Sequence, residues 1–427
     1  MPGHPTDPSH LRTLRIAITA FFALDGFVFA GWVVRIPAIK EQTGASPGAL
    51  GLALLGVSAG AVVTMMLTGR LCRRFGSHPV TVACAVLLSL SVALPPLTHS
   101  ALALGAVLLV FGAAFGGINV AFNSAAVELV AALGRPIMPG FHAAFSLGGM
   151  VGAGLGSLVA GSLSPTRHLL GITLIGLLVT ALAAPALLRH EPPPPLDRTP
   201  GQPTREAEGP RSPATTTDAD TAPEPASASA SDPASDPATE PGRLDSRTRA
   251  LVVVLGLIAG CTAYGEGALA DWGALHLRAD LDASPGIAAI GYSCFALAMT
   301  VGRLTGTTLL ERLGRTTVLV AGGATATAGM LFGSLAPSVW ATLLGFAITG
   351  LGLANIFPVA IERAGALAGP GGVATASTLG YLGMLLGPPA IGFMAEWFSL
   401  PTALTSVAVL AAFASVIAFV TRHSAAK

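Results

Sequence analysis

The stretch "GASPGALGLALLGVSAGAVVTMMLTGRLCRRFGS", residues 44–77, is answered 238 positions later by "DASPGIAAIGYSCFALAMTVGRLTGTTLLERLGR", residues 282–315. Both copies open on Ala-Ser-Pro-Gly (45–48 and 283–286) and run through an apolar stretch long enough to cross a bilayer. Both then close on Leu-x-x-Arg-x-Gly, as Leu71, Arg74, Gly76 and Leu309, Arg312, Gly314. A segment repeated at one offset means a chain of two related halves, and the flanks extend the match. Upstream, "LDGFVFAGW" (24–32) faces "GEGALADW" (265–272), which sets Asp25 opposite Glu266 and Trp32 opposite Trp272. Downstream, "FGGINVAFN" (115–123) faces "GLGLANIFP" (350–358), with Asn119 opposite Asn355.

Apolar runs of spanning length lie near 13–35, 46–69, 79–98, 101–127, 139–163, 168–188, 250–272, 285–310, 315–336, 338–361, 370–395 and 401–421. The expected fold is an all-α membrane protein of twelve transmembrane helices in two pseudo-symmetric six-helix bundles, residues 1–188 and 250–427. Between them, 189–249 is crowded with Pro, Ala, Ser and acids and holds 18 of the chain's charged residues, against 11% charged overall. Such a segment buries too little surface to fold and reads as a disordered cytoplasmic linker. Eighteen of the 23 Lys and Arg fall on the side of the two termini, four (Arg35, Lys40, Arg167, Arg278) on the other, and Arg303 within a span. The positive-inside rule then places both termini in the cytoplasm, and the cell membrane is the expected location.

Two related six-helix halves are a transporter plan, with the site between repeats. The twelve spans, the central loop and the motif after the second span resemble the major facilitator superfamily, over nearly the whole chain. "GRPIMPGFHAAFSLGG" and "STLGYLGMLLGPPAIGFMAE" are similar to a bacterial branch related to fucose-permease-like carriers. The resemblance implies gating loops at Gly69, Arg74 and Gly76 and at Glu311, Arg312 and Gly314. The family's acidic position holds Arg73 in the first copy, and Thr307 stands at the leading glycine of the second.

Site candidates are the polar groups inside spans. Asp25 lies ~15–20 Å into the first span at helical rise, on one face with Phe22, Phe29 and Trp32. A carboxylate there suits proton or substrate binding, or a hydrogen bond to a neighbouring helix. Glu266 suits substrate binding or an outer gate. Asn119, Asn123 and Asn355 suit a polar ligand or interhelical adhesion, and the carbonyl freed by Pro358 is one that an amide such as Asn355 could satisfy. His142 reads as a proton relay or a satisfied interfacial histidine. Arg303 reads as an anion site, a carboxylate partner, or a side chain snorkelling to the cytoplasm. Gly148, Gly152 and Gly156 form a small-residue packing face, and Gly387-Pro388-Pro389 predicts a bend.

Net charge of +1 argues against nucleic acid, and Cys72, Cys84, Cys261 and Cys294 have no metal or disulfide spacing. With lysine only at Lys40 and Lys427, no phosphate loop exists. Neither cofactor, metal nor enzyme activity is expected. The expected function is a monomeric secondary carrier working by alternating access, proton-coupled, moving a small polar solute such as a sugar. The alternatives are a proton-driven exporter of lipophilic drugs or metabolites and, more distantly, a membrane sensor or scaffold.

Overall fold

The computed structural model describes residues 8–45, 47–159, 162–189, 245–283 and 285–421. Its first half runs through α1 (Pro8–Val33), α2 (Ile36–Thr43), α3 (Pro47–Phe75), α4 (Ser77–Ser91), α5 (Ala101–Leu133), α6 (Met138–Val159) and α7 (Pro165–Leu188). The second runs through α8 (Ser246–Ala279), α9 (Pro285–Leu313), α10 (Arg315–Leu335), α11 (Val339–Leu353), α12 (Ile356–Trp397) and α13 (Leu400–Val420). The expected linker lies outside the described residues except at its ends, where Arg189 caps α7 and α8 has begun by Ser246.

Nine helical stretches among the described residues are long and apolar enough to cross a membrane, and one of these, Val339–Trp397, is two passes in series. The remaining two passes are α6 and α9, of 22 and 29 residues. Together these make the twelve-pass, all-α architecture. The third pass departs from a plain helix because Pro95 and Pro96 turn its end into a 3-10 segment, Pro95–Leu97. Helix α2 is an addition that the hydropathy pattern does not show. Gln42 at its end ties it to the α4–α5 connection by donating to the carbonyls of Pro96 and Thr98, each at 2.8 Å.

The repeat is visible in the packing. Helix α1 lies on α6 and α7, α3 on α5, and α4 on α5 and α7; in step, α8 lies on α12 and α13, α9 on α11, and α10 on α11 and α13. The shared motif glycine is the same turn twice: Gly76 at φ 86, ψ 155 and Gly314 at φ 79, ψ 158. Only glycine is at ease there, which is why the spacing survives in both copies. Along the α1–α6 seam a methyl group on Gly148 would sit 2.0 Å from the Ala23 carbonyl oxygen, and one on Gly152 2.4 Å from that of Phe27. Small residues let the two backbones touch.

Contacts between halves gather toward the end where α1 begins and α13 finishes. There Arg135, in the α5–α6 turn, pairs with Glu311 at 2.8 Å, and a methyl on Gly69 would lie 2.7 Å from the Ala374 side chain. We call this the closed end. At the opposite end the polar bonds described stay within one half: Arg35 donates to His168 at 2.8 Å, and His276 pairs with Asp280 at 2.8 Å. Trp340 and Trp397, 72% and 74% exposed, stand on the outer wall at that open end, as interfacial tryptophans do.

Helix α12 breaks at Ala368 and Gly369 (φ 56, ψ −148), just before Pro370, at the closed end. That is the turn between the tenth and eleventh passes. Through Gly387-Pro388-Pro389, where a bend is expected, the chain stays helical with no residue outside helical φ/ψ, and Gly387 packs on the Tyr264 backbone.

Candidate functional site

Helix α1 presents Phe22, Asp25, Phe29 and Trp32 at the spacing of one face, but its neighbours divide them. Phe22 sits among Phe122, Phe141 and His142, at ring distances of 3.8, 5.4 and 5.2 Å. Trp32 is buried beside Phe111 at 6.2 Å. Phe29 stacks on Phe115 at 4.8 Å, and Phe115 meets Tyr381 of α12 edge-on at 6.0 Å. An aromatic ledge therefore crosses from one half to the other. Beside it Asp25 is 0% exposed, and neither carboxylate oxygen has a hydrogen-bond partner.

The repeat-related acid is handled differently. Glu266 accepts from Arg303 Nη2 at 2.7 Å, and Arg303 is nearly buried, with 8% of its side chain exposed. Position 303 minus the repeat offset of 238 is position 65, and Met65 stands there, fully buried. Thus one acid of the symmetric pair has a guanidinium, and the matching position in the first half holds a thioether. The Tyr381 phenol lies within electrostatic reach of both acids, and Tyr292 within reach of Glu266, Asp271 and Arg303.

Arg303 does not snorkel. Its Nη1 donates to Ser146 Oγ of α6 at 2.7 Å, across the boundary between halves, and its Nε to the Ala354 carbonyl at 3.4 Å. Pro358, four residues on, supplies no N–H to that carbonyl, so the acceptor is free for the guanidinium. Asn355, expected to be able to satisfy such a carbonyl, instead donates to the Gly302 carbonyl at 2.9 Å and pins α9 to the α11–α12 junction. Asn123 turns back on its own helix, donating to the Asn119 carbonyl at 2.7 Å, while its own oxygen is unpartnered. His142 lies edge-on to Phe22 and Phe357, 5.2 and 5.7 Å away, with Nε2 unpartnered, and so also touches both halves.

At the closed end Glu311 pairs with Arg135, while Arg74 and Arg312 are exposed. Gly306, one residue before Thr307, supplies the close approach in the second copy: a methyl there would lie 2.6 Å from Pro139. Two acids escape the sequence reading. Glu128 accepts from Ser77 at 2.6 Å, and Glu362 from Arg315 at 2.5 Å. Ser77 and Arg315 are 238 residues apart, and each acid follows its repeat asparagine, Asn119 or Asn355, by seven to nine residues. That coincidence is the signal that was available. Among the described residues no group of His, Cys, Asp and Glu could hold a metal ion.

Twelve apolar passes in two related halves, with polar side chains collected where the halves meet, define a multi-pass membrane transporter. The chain belongs to the major facilitator superfamily, whose model matches residues 16–269 and 255–427. It is similar to an uncharacterized MFS-type transporter of Yersinia pestis, with 32% identity covering 92% of this chain and 91% of that one. Its fold matches the E. coli fucose:proton symporter FucP at a TM-score of 0.70 and 14% identity, over 95% of this chain and 97% of FucP. The human organic anion transporter MFSD10 matches as well, at 0.70 and 17% identity over 96% and 100% of the two chains. Equal likeness to carriers of such different cargo leaves the substrate to the site itself.

Proposed function

We propose that this chain is a proton-coupled carrier that moves a small, oxygen-rich polar solute by alternating access. Asp25 is its proton-binding group. The observation that supports this most is the contrast between the repeat-related acids: Glu266 has Arg303 at 2.7 Å, whereas Asp25 is fully buried with neither oxygen partnered. An unpaired carboxylate in that setting must be neutralised, and a proton is the neutralising species that leaves no atom to accommodate. FucP, of similar fold, carries fucose with protons.

In this reading the solute rests on the Phe29–Phe115–Tyr381 ledge. Arg303, Asn119 and the free oxygen of Glu266 offer hydrogen bonds of both polarities, which suits hydroxyls. With the termini cytoplasmic, the closed end is the inner end and the described conformation faces outward. Protonation of Asp25 and solute binding leave a neutral centre, and a neutral centre can be enclosed while the halves rock to the other side. An exporter of lipophilic compounds remains the second reading, favoured by the aromatic ledge.

The test is solute-dependent stabilisation followed by flux. Purified protein is screened by thermal shift against sugars, polyols and lipophilic cations, and the best binder is loaded into proteoliposomes. The proposal expects a polyhydroxy solute to accumulate under an imposed pH gradient. It expects Asp25→Asn to abolish accumulation yet keep solute exchange at equal pH. Accumulation by Asp25→Asn equal to wild type would remove the proton assignment.

A further inference from the structure

We propose that Arg303 is a latch between the halves, and that an acceptor oxygen of the solute opens the closed end by taking the place of Ser146 on its guanidinium. This rests on the carrier reading above. Arg303 spends its donors in three directions: on Glu266 within its own half, on the Ala354 carbonyl at the α11–α12 junction, and on Ser146 of the opposite half. The first two bonds can survive a rigid movement of one half against the other, because all three groups travel with the second half. The third cannot.

Among the described residues an ion pair also crosses the boundary, Arg135 with Glu311, and it is 58% and 37% exposed. A pair that wet holds weakly. The bond to Ser146 is charged, short and half-buried, with 8% of the Arg303 side chain exposed, and is therefore the stronger tie. Ser146 is itself held, donating to the His142 carbonyl at 3.2 Å, while the His142 ring lies against Phe357 of the other half. Breaking the tie without replacement leaves a guanidinium donor unsatisfied in a low-dielectric site. A solute oxygen on the ledge removes that cost. Because a guanidinium donates and never accepts, the releasing group must be a hydroxyl, carbonyl or carboxylate oxygen. An amine without acceptors occupies the site but does not release the latch.

The test reads conformation, not transport. Spin labels are placed at the closed end on opposite halves, as Arg70→Cys and Leu313→Cys, in a background without the four native cysteines. Their distance distribution is measured by pulsed electron resonance without solute. Ser146→Ala is expected to raise the open-inside population about tenfold, the scale of one charged hydrogen bond. Arg303→Lys, which keeps the charge beside Glu266 but loses the fork, should do the same. Ser146→Thr keeps the hydroxyl and should restore the wild-type distribution, which separates the latch from damage to folding. In wild type, a polyol that binds should mimic Ser146→Ala, and a simple alkylamine should not. If wild type switches but Ser146→Ala and Arg303→Lys leave the populations unchanged, the latch is wrong and the carrier reading stands. If no condition changes the distance, the carrier reading fails with it.

Discussion

Replacing Glu266 by Gln removes one charge from a largely buried ion pair in the membrane core and leaves Arg303 cationic. At 2.7 Å and an effective dielectric near 20, two unit charges attract by about 6 kcal/mol. Desolvation of both groups consumes much of that, and breaking such pairs from one side costs about 3–5 kcal/mol. Glu266 keeps 22% of its side chain exposed, so water follows the loss and the expected cost of Glu266→Gln falls to about 2–3 kcal/mol. Arg303→Met alone should cost a similar amount, since it strands Glu266. The double variant removes both charges and places at 303 the residue already found at its repeat position, Met65. It should therefore be no less stable than either single variant, giving a coupling of about 2–3 kcal/mol. The assay is unfolding of the four proteins in mixed micelles by SDS titration, followed by helical circular dichroism. Losses that add to within about 0.5 kcal/mol would show that the pair is not a thermodynamic unit.

Three further outcomes follow from the geometry. Met65→Arg puts a guanidinium at the repeat position of Arg303, in the same half as Asp25; accumulation should stop responding to pH gradients while exchange at equal pH persists, and retained coupling would count against the repeat argument. Gly148→Ala puts a methyl 2.0 Å from the Ala23 carbonyl oxygen, forcing α1 and α6 apart by more than 1 Å. Thermal unfolding should show a net loss, overpacking of about 1–3 kcal/mol outweighing about 1 kcal/mol of helix propensity, whereas Gly154→Ala, with open space around it, should be neutral or stabilising. Arg73 lies against Gly371 at the start of the helical arm after the α12 break, where a positive charge opposes the helix dipole. Arg73→Asp should favour the closed end by about 1 kcal/mol, read as a several-fold slower labelling of a cysteine at Thr375.

The spans and the repeat were readable because both are written in local composition at a fixed offset. Gly76 and Gly314 were readable for a firmer reason: one backbone turn demands glycine twice. What stayed hidden depends on which helices meet. Nothing near Arg303 in sequence announces Ser146, which is 157 residues away, and its three partners come from α6, α8 and the α11–α12 junction. The break in α12 falls at Gly369-Pro370, whereas the similar-looking Gly387-Pro388-Pro389 stays helical, so glycine and proline mark where bending is permitted and tertiary packing selects the place. Phe22 and Trp32 share a helical face with Asp25, yet packing sends one toward Phe122 and the other toward Phe111. Face membership was legible in the spacing, but not the identity of the neighbour.

The central claim is that Asp25 carries a proton in the outward-facing state. Infrared difference spectroscopy between wild type and Asp25→Asn at neutral pH tests it without any need to know the solute. The account predicts a protonated-carboxyl C=O band in wild type, at the frequency of a group without hydrogen-bond partners, and its absence from the variant. A difference spectrum showing only loss of carboxylate bands would mean that Asp25 is ionised where it lies, and the proton would have to be carried elsewhere.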